Sequence, residues 1–179
     1  MNRFIIDYDV RSIAESLCDQ HIVKMPLEEA QMLCTALWHH APEYAEENDL
    51  YKPVHQKHPC TLWAMHSKSN FAFAHSLYCA MLKEYTYRYD KVHGASKHMD
   101  ALFFGANYLP ELGMTTHPQC FSGHDDLKTD EYYPVRAYRK FYYVDKMKFA
   151  RYKKGRYMPE WLSEMLLSPL RIDNAENVL

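Results

Sequence analysis

The chain has 179 residues, of which 47% are apolar and only five are glycine, and its formal net charge is −2. That length suits one domain with a single sizeable core, and the composition excludes a fibrous or intrinsically disordered chain. No apolar run nears the ~20 residues of a membrane span, and the opening MNRFIIDYDV lacks the apolar region of a secretory signal. The expectation is a cytoplasmic protein with no membrane partner.

Five scattered cysteines (Cys18, Cys34, Cys60, Cys79 and Cys120) form no C-x-x-C pair and read as reduced thiols. The near-neutral total conceals an uneven distribution. Arg136 to Arg156 holds nine Lys or Arg against one acid, Asp145, so the remainder carries 12 basic and 22 acidic residues. Fifteen tyrosines are more than a plain core needs, because each buried hydroxyl requires a partner.

In chain order, RFIIDY (residues 3–8) reads as a short strand or an extended lead-in. A first helix is predicted from about Val10 to Val23, with Ile13, Leu17 and His21 on one face. Pro26 suits a first helical turn and disfavours helical geometry at Met25. The region is therefore one kinked helix or two helices meeting near Met25, the second running from Pro26 to about His39. A polar, Pro-containing connection follows through His58 and Pro59, and so long a loop in a compact domain is functional or disordered. The next predicted helix spans about Asn70 to Tyr89, with Phe71, His75, Tyr78, Leu82 and Tyr85 in a stripe. Residues 93–133 read as loop with one short helix near 96–104; Pro134 opens a helix to about Tyr152, and Pro159 a last one through Leu167. The fold class is mainly α: a compact single-domain helical globule, residues 1–179, with a basic aromatic segment at 134–161.

Two stretches carry the chemical signal. In CDQHIVKMPLEEAQML, His21, Lys24 and Glu28 fall at i, i+3 and i+7, one stripe of a helix whose other side is apolar. That stripe faces solvent or lines a cleft, and Glu28 near a helix start is also explained by the helix dipole alone. In PVRAYRKFYYVDKMKFARYKKGRY, basic residues alternate with Tyr138, Phe141, Tyr142, Tyr143, Tyr152 and Tyr157. Cations neutralise phosphates and aromatic faces stack on unpaired bases, but Tyr138, Tyr142 and Phe149 also fit a buried helical face. The eleven histidines, His55 and His58 included, show no zinc spacing, so no metal is expected. No phosphate-binding or dinucleotide glycine motif and no G-x-S-x-G occurs, which argues against kinases, dinucleotide enzymes and α/β-hydrolases.

Taken together, CDQHIVKMPLEEAQML, HQKHPCTLWA with LKEYTYRYDK, and ARYKKGRYMPEW resemble the pyrimidine-dimer DNA glycosylase family, over roughly residues 1–93 and 134–161. The resemblance implies an all-α monomer, without cofactor, that binds damaged duplex DNA and flips a nucleotide. It makes Glu28 the acid/base residue, His21 a substrate or phosphate contact, and the N-terminal amine (Met1, or Asn2 after Met removal) the nucleophile at C1′. Arg3, Lys24, His58, Arg139, Lys148, Arg151 and Lys153 are the candidate DNA contacts. This chain departs from the phage-type relatives in having Asn2 where they have Thr, and Leu27 where an Arg precedes the Glu; Lys24 is then an alternative nucleophile. The resulting expectation is a base-excision enzyme acting on a damaged or modified pyrimidine, in the host cytoplasm if phage-encoded. The alternatives are a phage-type base-modifying transferase on a related scaffold and a non-catalytic DNA-binding or inhibitory module.

Overall fold

A computed structural model describes residues 2–175, with side chains through Leu167. It is mainly helical, as the periodicity predicts, and among the described residues it has no strand. The lead-in is extended and unpaired in any sheet, yet Ile5 and Ile6 are wholly buried, so hydrophobic burial holds it in place. Asp9 then caps α1 (Val10–Ser16) by accepting a hydrogen bond from the Ser12 amide at 2.8 Å.

The break between the first two helices lies at Leu17–Cys18 and not near Met25. Leu17 is extended, and α2 (Asp19–His40) runs continuously through Pro26. Tertiary contacts explain the position of the break. The Cys18 amide donates to the Tyr142 hydroxyl and the Asp19 amide to the Arg151 carbonyl, both at 2.8 Å, which satisfies two N–H groups that a new helix start leaves open.

The connection expected to be loop contains α3 (Pro42–Glu47), and α4 (Pro59–His66) follows, with Pro59 in its first turn and His58 as the capping residue. The long helix α5 (Lys68–Tyr89) begins where predicted to within two residues and is capped by Ser67. A 3-10 turn at Gly94–His98 leads into α6 (Met99–Gly105). The predicted helix from Pro134 is shorter: α7 (Val135–Phe141) passes into a π turn (Tyr142–Lys146) and a 3-10 turn (Met147–Phe149). The last helix is α8 (Glu160–Ala175).

Helices α2 and α5 pack along each other and feed two apolar clusters. One gathers the lead-in, α1, the start of α2 and α7 around Ile5, Ile22, Met81 and Tyr142. The other gathers the end of α2 with α4 and α6 around Leu37, Trp63 and Leu102. Between them lies a buried ion pair. Arg3 Nε donates to Glu29 at 3.0 Å, Arg3 Nη2 also meets that carboxylate, and the guanidinium lies 5.0 Å from the Trp63 ring centroid. Arg3 is therefore not a DNA contact; it is a fully buried internal cation. Among the described residues no helix is long and apolar enough to cross a membrane.

Candidate active site

The stripe His21, Lys24 and Glu28 lines a cavity of about 350 Å³ at the first turns of α2. The opposite walls are Asn2 and Phe4 from the lead-in, Cys120 and Ser122 from the long loop, and Phe141, Asp145, Lys146 and Phe149 around the π turn. The start of α2 is tied to this last segment through Cys18 and Asp19, so the two sides of the cavity hold a fixed relation.

Glu28 pairs with Lys24 Nζ at 3.2 Å; Lys24 is two-thirds exposed and Glu28 only 13%. The carboxylate is thus recessed and its lysine reaches toward solvent. His21 sits deeper, stacked on Phe4 with centroids 4.6 Å apart, and its Nδ1 meets the Tyr142 hydroxyl at 2.9 Å. Burial, reinforced by the charges of Lys146 and Lys24, pulls its pKa down to about 3. At neutral pH His21 is uncharged, and with Nδ1 engaged, Nε2 is the ring nitrogen left to meet a ligand. Lys146 approaches from the π turn, pairs with Asp145 at 2.6 Å and lies 5.1 Å from the Phe141 ring centroid. Lys24 and Lys146 are each matched by a carboxylate, Glu28 and Asp145, so the cavity presents both signs of charge beside apolar ring faces and can hold a small planar, polar ligand.

Asn2 is in the wall, but its side chain is committed there. It donates to the Cys120 carbonyl at 2.9 Å and accepts from the Arg3 amide at 2.8 Å and the Tyr138 hydroxyl at 3.1 Å. The expectation for the Met1 amine falls outside the described residues. Of the other expected contacts, Lys148 is exposed and lies 3.7 Å from Asp145, itself a lining residue of the cavity. Arg151 and Lys153 are exposed on the segment that follows. His58 lies half-buried at the cap of α4, beside a neighbouring groove that shares Cys120 and Ser122 with the cavity. Arg139 does not join the group: it donates to the Ile6 carbonyl at 2.8 Å and pairs with Asp7 at 3.0 Å, next to Trp161.

Sequence reasoning missed Lys146. It is one of nine cations spread over residues 136–156, and it lies in the π turn, which redirects side chains by one position and brings it into the cavity lining. A larger groove of about 610 Å³ runs between α1 and α5. Its Arg156 is engaged internally, pairing with Glu84 at 2.8 Å and with Glu15 at 3.2 Å, and its Cys79 thiol is raised by burial while neighbouring His75 is lowered, the opposite of an activated Cys–His pair. The smaller cavity is the better candidate. No protein-family model matches the chain, and no curated protein or solved structure does.

Proposed function

We propose that the chain is a DNA base-excision enzyme, a glycosylase with a strand-cleaving lyase step, acting on a damaged or modified pyrimidine in the cavity at the start of α2. The observation that carries the reading is the meeting of recessed Glu28, neutral His21 and the ammonium groups of Lys24 and Lys146 around one space of about 350 Å³. A volume in this range accepts a small planar ligand, and Phe4, Phe141 and Phe149 offer faces for an extruded base.

In this mechanism an enzyme amine forms a bond to C1′ of the deoxyribose while the C1′–N bond breaks and its electron pair leaves with the base. The departing base takes up a proton. Opening of the sugar ring and loss of the amine protons give an imine, and removal of a C2′ proton then expels the 3′ phosphate by β-elimination. Glu28 stabilises the developing positive charge and relays these protons. Lys24 and Lys146 attract the flanking phosphates, and His21 donates or accepts one hydrogen bond without adding charge. An α-amine is the favoured nucleophile because its ordinary pKa is ~8, below the ~10.4 of a lysine side chain.

The test is borohydride reduction during turnover on duplex DNA carrying ultraviolet photoproducts or modified pyrimidines. A covalent protein–DNA adduct mapping to the amino terminus is expected. An adduct on Lys24 would move the nucleophile within the same site. Base release without an adduct would point to water as nucleophile, and neither adduct nor base release would remove the reading.

A further inference from the structure

Next to the cavity, on the far side of Cys120, three ligand-type side chains converge. Cys60 and Cys120 lie 60 residues apart in sequence, yet their Sγ atoms are 3.6 Å from each other. A ring nitrogen of His58 joins them, all three ligand atoms lying within 4.8 Å of one another. Two sulfurs bound at ~2.3 Å to one tetrahedral ion stand about 3.8 Å apart, so the thiol pair already has the separation that a shared ion requires. A disulfide, with sulfurs ~2.05 Å apart, would instead require them to close by about 1.5 Å.

We propose that His58, Cys60 and Cys120 form a three-ligand site for a soft divalent cation of the zinc class, with the fourth position open to the adjoining groove. The scaffold is fixed from both sides. His58 and Cys60 sit at the capped start of α4, where His58 Nδ1 accepts the Cys60 amide at 3.2 Å. Cys120 is held by its carbonyl, which accepts from Asn2 at 2.9 Å. The groove of about 360 Å³ beside them is lined by His58, Cys120, Gln119, Ser122 and Lys128, and it provides the entry path and room for a water or a ligand atom at the open position.

Charge also fits. Binding transfers the two thiol protons to water and leaves two thiolates around a doubly charged ion, so the ion and its sulfurs add no net charge. The nearest buried cation, Arg3, is already matched by Glu29. Thiolate and imidazole ligands select zinc-class ions over magnesium or calcium. A bound ion would fasten the irregular loop carrying Cys120 and Ser122 to α4, and with it one wall of the cavity. The proposal stands independently of the glycosylase reading.

The test is titration of the reduced full chain with Co²⁺ alone and then Zn²⁺ alone, under anaerobic conditions. One equivalent of Co²⁺ is expected to produce thiolate-to-metal charge-transfer absorption, which Zn²⁺ removes. Cys120→Ser and His58→Gln, both at half-buried positions, should each weaken binding at least on the order of 100-fold, and Cys79→Ser should bind as the parent does. Circular dichroism of each variant separates lost binding from lost fold. Absence of the charge-transfer band, equal affinity in Cys120→Ser, or binding only at millimolar cation would overturn the site. So would a Cys60–Cys120 disulfide mapped in protein purified without added oxidant.

Discussion

His21 and Arg3 show how differently two polar residues enter a core. His21 is buried without a charge partner, and its pKa falls to about 3 from an ordinary value of 6.5. The unfolded chain therefore takes up a proton that the native state refuses as pH drops below about 6.5, so this group's contribution to stability is complete above that pH and is lost progressively toward pH 3. His21→Phe, which keeps the stack on Phe4, should make the fall of urea stability between pH 6 and 5 shallower, by up to about 1.4 kcal/mol per pH unit. Equal slopes in parent and variant would mean that His21 titrates normally. Arg3 is buried with a partner. Burial raises the Glu29 carboxyl, and Arg3 partly offsets that rise. Glu29→Gln should cost ~3–5 kcal/mol because it strands a buried guanidinium, while replacing both residues with Met should cost less, as denaturant midpoints would show. The carboxylate–histidine stripe was legible from spacing alone, since His21, Lys24 and Glu28 do share a face. The burial of Arg3 was not, because nothing in MNRF marks a cation whose partner is 26 residues away.

At the scale of elements, the start of α2 is hard to place from sequence because its determinants are distant. Pro26 is the visible helix breaker, but it lies inside α2, whereas the actual break is set by Tyr142 and Arg151 capturing the amides of Cys18 and Asp19. Helix α4 is hidden for a related reason: two turns opening on Pro59 give too short a pattern to separate from loop. The basic segment is legible as charge but not as geometry. Arg139 and Arg156 are spent on Asp7, Glu84 and Glu15, holding the C-terminal region to α1, α5 and the lead-in. Lys148, Arg151 and Lys153 remain exposed. Changing these three to Gln should lower the salt slope of DNA binding by about 0.9 for each phosphate no longer neutralised, with unchanged thermal stability. Arg156→Gln should do the reverse, lowering stability and leaving the slope. A triple variant with the parental slope would place the DNA elsewhere on the surface.

Over the whole molecule, the candidate site exists only as a tertiary product. Its walls come from residues 2–4, 20–28, 120–122 and 141–149, brought together by the packing of the lead-in, α2 and the π turn. This is why the stripe on α2 could be read from the chain while Cys120, Ser122 and Lys146 opposite it could not. The central claim is that this enclosure performs proton chemistry on bound DNA, with Glu28 as the working group. The most direct measurement compares Glu28→Gln with the parent on one DNA substrate, taking affinity from equilibrium binding and rate from single-turnover base release. Glu28→Gln should bind within a few-fold of the parent and release base ~10²–10⁴-fold more slowly. Undiminished base release, or loss of binding and rate in equal measure, would contradict the account and leave Glu28 with a structural role.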